Sequence, residues 1–148
     1  MSKNKKWSSI HSKVYISMSL CVADGVINTD EKKVLQKLCS KWIGDSGEDT
    51  ADVMRDTAEK MMKASKGVEL LDGIHHSCKR IHADVEGNKK VLFKFLKQLK
   101  ELAEADNDTK PIGEPEARII RYVTRNFGFG TRLSIQLEGN SIELVKNQ

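Results

Sequence analysis

The chain has 148 residues, 39% hydrophobic and 31% charged with only two prolines, which describes a charged, helix-rich globule of one domain and excludes a disordered chain. Twenty-five basic against 21 acidic residues leave a net charge of +4, an excess that suits solubility and by itself calls for no nucleic acid. No run approaches the ~20 apolar residues that cross a bilayer.

Six segments have helical periodicity. The first is expected from about Ser8 to Ala23, with Ile10, Val14, Met18, Cys21 and Val22 on its apolar side. Its basic-then-apolar start has the order of an export signal. However, Ser17 and Ser19 interrupt it and the bulky Leu20 precedes Cys21, so a helix of the fold is the better reading. The second follows Asn28, a cap whose partner three residues on is Glu31; Val34, Leu35, Leu38 and Trp42 make its apolar face, and GDSG ends it. The third starts at Asp49 or Thr50, carries Val53, Met54, Ala58, Met61 and Met62, and stops about Gly67. The fourth holds Val68, Leu71, Ile74, Cys78, Ile81 and Val85. After Gly87 comes the fifth, with Val91, Leu92, Phe95, Leu96, Leu99, Leu102 and Ala103, and after Gly113 the sixth, with Ile119, Ile120, Val123 and Phe127. The tail changes period: Leu133, Ile135 and Leu137 alternate, EGNS turns, and Ile142 and Leu144 alternate, which predicts a β-hairpin.

Two portions of the chain match. Ala23-Asp24 pairs with Ala105-Asp106, Ile27 with Ile112 and Glu31 with Glu116; Val34, Leu35, Leu38 and Trp42 pair with Ile119, Ile120, Val123 and Phe127. Upstream, Ile10, Val14, Ser17 and Cys21 pair with Leu92, Leu96, Leu99 and Ala103, and the second loop is longer by three residues around NDTK. Each portion is a helical hairpin with one apolar side. Packing two such sides face to face would close a core with pseudo-two-fold symmetry.

These residues resemble a family. ADGVINTDE before VLQKL, and AEADNDTKPIGEPE before RIIRYV, are similar to the paired motif of the TerB-like domains, named for a tellurite-resistance protein and also found at the front of a membrane-anchored DnaJ-type co-chaperone. The resemblance spans roughly residues 10 to 129. The second motif departs from it in lacking a Gly after Asp106. The resemblance implies an all-α bundle of six or seven helices over residues 1–129 and a role in tellurite or metal-stress response. The β-hairpin expected from the alternation over 130–148 lies outside the resemblance and would extend the same domain.

The acidic turns are the first place to look for a ligand. Asp24 and Asp106 each fall at a helix end, where the macrodipole disfavours an anion, so turn amides or a cation should compensate. Asp108 and Glu114 make the second turn more acidic, while Glu31 and Glu116 stand where a carboxylate suits a helix N-terminus. An EF-hand is excluded: counted from Asp106 the fifth, sixth and twelfth positions are Lys110, Pro111 and Ala117, and from Asp24 the twelfth is Leu35. Another oxygen-rich site remains open, with Asp24, Glu31, Asp106, Asp108, Glu114 and Glu116 as candidate metal ligands. The competing expectation, and the stronger one, is that these residues only cap and turn.

Other constellations carry less. His75, Cys78 and His82 share a helix face, but the two histidines are seven residues apart, about 10 Å along the axis, too far for one zinc ion; Cys78 fits the buried stripe instead. Cys21 and Cys39 also sit at apolar positions, and an odd, irregularly spaced set of three argues for a reducing compartment. Basic residues fall on stripes: Lys33, Lys37 and Lys41; Lys90, Lys94 and Lys97; Arg118, Arg121 and Arg125. The arginines are the best candidate for an anion or nucleic-acid face, without aromatic interleaving. No phosphate loop and no catalytic spacing is present.

The reading is therefore a cytoplasmic, non-enzymatic TerB-like binding or scaffold module. No cofactor is expected beyond a divalent metal ion at the acidic turns. The expected partner is a protein, with a homodimer open, no membrane, and nucleic acid far behind. The alternatives are a protein-interaction domain with purely structural turns, and a weak anion or nucleic-acid binder through Arg118, Arg121 and Arg125.

Overall fold

The computed structural model describes residues 9–21, 29–44, 49–63, 67–103, 114–129, 133–138 and 141–146. The described residues form six helices: α1 (Ser9–Cys21), α2 (Thr29–Ile43), α3 (Thr50–Lys63), α4 (Gly67–Asp84), α5 (Lys89–Ala103) and α6 (Glu114–Asn126). Two strands follow, β1 (Leu133–Glu138) beside α6 and β2 (Ser141–Lys146) beside α5, antiparallel with Leu133 opposite Lys146 and Glu138 opposite Ser141. The all-α architecture of the helical part follows from 3.6-residue periodicity of apolar side chains, most regular in α5, where Leu92, Phe95, Leu96, Leu99, Leu102 and Ala103 are all buried.

Where the helices start and stop is decided locally. Asp49 caps α3, its Oδ2 accepting from the Asp52 amide at 3.1 Å while its carbonyl takes Val53 N–H at 3.0 Å. Asn88 caps α5 the same way, Oδ1 accepting from the amides of Lys90 at 3.0 Å and Val91 at 3.4 Å. The intervening turn is tight because Glu86 and Gly87 are both left-handed, with φ of 53° and 70°, and Gly87 N–H returns to the His82 carbonyl at 2.9 Å.

The centre of the bundle is α1. It touches each of the other five helices, and His11, Ser12 and every residue from Val14 to Cys21 are buried. This differs from the one-sided apolar face expected of it. A helix surrounded on all sides must be apolar or self-satisfied all round. Ser17 Oγ donates to the Lys13 carbonyl and Ser19 Oγ to the Tyr15 carbonyl, both at 2.8 Å, so two residues that look like interruptions are compatible with burial. Thr57 and Thr124 use the same device at 2.7 Å on α3 and α6.

The tightest seat on α1 is that of Tyr15, whose fully buried ring lies against Gly73 of α4. A Cβ at residue 73 would overlap the phenol oxygen and Cζ and would come to 2.7 Å of Cε1. Two residues assigned to apolar stripes are exposed instead: Leu71 at 41% and Val91 at 39%. Val91 lies in the first turn of α5 at the margin of the arc that Leu92, Phe95 and Leu99 bury.

Candidate functional site

Of the six candidate ligands, Glu31, Glu114 and Glu116 have described backbone within α2 and α6. Asp24, Asp106 and Asp108, and the side chains of all six, lie outside the described residues. The helix bounds make Glu31 the third residue of α2 and Glu116 the third of α6, the position from which a carboxylate reaches back to a cap. All six are oxygen donors of the class that calcium and magnesium take. Among the described residues no three His, Cys, Asp or Glu side chains converge.

The His75, Cys78 and His82 set does not form a site. Cys78 is fully buried, and burial pushes its thiol up to about 12; Cys39 is pushed to about 11 for the same reason. Neither presents a thiolate for metal or for nucleophilic chemistry near neutral pH. His75 is instead engaged with α6: its Nδ1–H donates to Asn126 Oδ1 at 2.6 Å, and Asn126 Nδ2 donates to the Tyr122 carbonyl at 2.8 Å. The pair ties the middle of α4 to the end of α6. A second cross-helix polar contact sets buried His11 of α1 3.6 Å from Asp56 of α3.

One set of contacts went unread in the sequence and bears on the repeat. The pairing that aligns Ile10 with Leu92 also aligns Lys13 with Phe95. In the first hairpin Lys13 Nζ lies 5.8 Å from the centre of the Trp42 ring. In the second, the Phe95 and Phe127 rings are 6.1 Å apart. Corresponding positions therefore touch in both hairpins, by a cation over a ring in one and by two rings in the other. Phe95 also meets Trp42 at 5.5 Å, and Trp42 Nε1 donates to Gln98 Oε1 at 2.9 Å, joining α2 to α5.

The basic stripes are solvated as expected on α2, where Lys33, Lys37 and Lys41 are exposed. On α6 Arg118 and Arg125 are exposed and Arg121 is half-buried. The face of α5 is different, because aromatic rings lie among its lysines. Lys97 Nζ sits 5.2 Å from the centre of the half-buried Phe93 ring. Lys89 Nζ sits 4.8 Å from that of Phe129 while donating to the Phe127 carbonyl at 3.1 Å. The two rings meet edge to face at 6.4 Å. Phe93 and Phe129 are 36 positions apart in the chain, so only the packing of α5 against the end of α6 brings them together.

No protein-family model matches the chain, and no curated protein or solved structure matches it. Among the described residues no helix is long and apolar enough to cross a membrane.

Proposed function

We propose that the chain is a non-enzymatic, TerB-like helical binding module, built from two related hairpins with a C-terminal β-hairpin extension of the same domain. Its acidic connections, Asp24 to Glu31 and Asp106 to Glu116, are the seat for a divalent cation, in the setting of tellurite or metal stress and in the cytoplasm. The observation that carries this reading is that corresponding positions touch in both hairpins, Lys13 with Trp42 as a cation over a ring and Phe95 with Phe127 as two rings. It supports treating α1–α2 and α5–α6 as two copies of one hairpin, and the copies share an acidic connection. A carboxylate at the C-terminal end of a helix costs energy that a bound cation would offset.

A second reading has its own observation. Glu31 and Glu116 are both third residues of their helices, where capping alone accounts for them and the module would bind a protein with turns that are purely structural. Calorimetric titration with calcium, magnesium and zinc separates the two. The cation reading expects saturable heat with at least one ion, weakened tenfold or more by Asp24→Asn and by Asp106→Asn. Absence of heat in the unsubstituted chain with all three ions leaves the structural reading.

A further inference from the structure

We propose that the outer face of α5, together with Phe129 just beyond α6, binds single-stranded nucleic acid. The face carries cations in excess: α5 contains five lysines and one glutamate, and Lys89, Lys90, Lys94 and Lys97 are exposed. Lys13 of α1 approaches the same face; burial is the chief cause that lowers its pKa, Asp84 acts against that, and the like charge of the neighbouring Lys94 adds a smaller lowering. Four exposed ammonium groups along one helix face attract a polyanion by releasing its counterions.

Charge alone would suit any polyanion; the rings narrow the choice. Phe93 and Phe129 are half-buried side by side among the lysines, each with a lysine ammonium over its ring. A flexible lysine side chain can swing from the ring to a phosphate and give its place to an unpaired base. Both have an ammonium within 5.2 Å of the ring centre, so a phosphate linked to a stacked base meets a cation without rearrangement of the backbone. An acidic peptide would use the lysines and leave the rings idle. A duplex keeps its bases paired inside, away from them. The proposal is independent of the cation reading of the acidic turns and uses none of their residues.

The test is fluorescence anisotropy of the full chain with a labelled oligouridine and the matching oligothymidine. Four lysine contacts give a salt slope near −2.8, or about fiftyfold weaker binding when salt rises fourfold. Replacing Lys94 and Lys97 together by Gln should flatten that slope by about 1.4; both side chains are exposed, so the fold tolerates the change. Phe129→Leu, which keeps an apolar side chain against the core, should weaken binding about fivefold or more and leave the slope unaltered. Three results would overturn the proposal: no anisotropy change at low salt, polyglutamate or a duplex of equal charge bound as tightly as the single strand, or full affinity in Phe129→Leu.

Discussion

Replacing Gly73 by Ala should destabilise the fold, although the local rule for helices says the opposite. Gly73 lies inside α4, where Ala is favoured over Gly by about 1 kcal/mol. Against this stands the Tyr15 ring, fully buried on the central helix, which a new Cβ would overlap at its oxygen and Cζ and crowd to 2.7 Å at Cε1. A phenol ring is rigid, so relief requires an off-rotamer Tyr15, or a separation of α1 from α4. Overpacking of this kind costs about 1–3 kcal/mol, and occasionally more. The contact sits at the upper part of that range because the ring has no open side, which leaves a net loss of about 1–2 kcal/mol. For a domain of this size that lowers Tm by roughly 2–8 °C. Urea unfolding followed by far-UV circular dichroism measures it directly. A cycle with Tyr15→Phe assigns the cause: removing the overlapped hydroxyl should recover about 0.5 kcal/mol or more of the penalty. If Gly73→Ala instead raised Tm, the packing of α1 on α4 described above would be wrong.

Two further outcomes follow from other parts of the molecule. Glu86 holds a left-handed φ of 53° that a Glu side chain disfavours and Asn tolerates, so Glu86→Asn should stabilise by about 0.5–1 kcal/mol in thermal or urea unfolding; a neutral or negative change would contradict the turn geometry. The buried thiols set an alkaline limit. Folding raises Cys39 to about 11 and Cys78 to about 12 from an ordinary value of 9.0, so stability from these groups is complete below pH 9 and is lost as pH climbs towards 12. Tyr15, also raised by burial, acts in the same direction, while Lys13, lowered chiefly by burial, opposes it. At pH 8 Ellman's reagent should find none of the three thiols until denaturant is added; a fast-reacting thiol in the native protein would refute their burial.

The sequence was most readable where one side of a helix faces the core. In α5 and α6 the apolar residues recur at helical spacing and, Val91 apart, name their own buried set, down to Leu99 and Ile120. It was least readable in α1, because periodicity assumes that one face meets water and this helix has no such face. Ser17 and Ser19 count as polar on any scale, yet a hydroxyl that bonds to its own helix can be buried among apolar groups. Gly73 read as nothing, since a glycine in a helix announces weakness, and only the ring of Tyr15 gives it a purpose. The acidic segments were legible as helix starts, with Thr29 and Glu114 opening α2 and α6. Cation binding is a property of convergent oxygens, and one-dimensional spacing does not specify convergence. The neighbours Phe93 and Phe129 illustrate the same limit, being joined only by the approach of two helices.

The two acidic connections should behave as equivalent parts of one design, and amide NMR during titration with a divalent cation tests this most directly. The expected result is that amides of residues 24–31 and 106–116 shift together and saturate together, while those of α3 and the middle of α4 stay in place. Shifts confined to other residues, or none with calcium, magnesium or zinc, would contradict it.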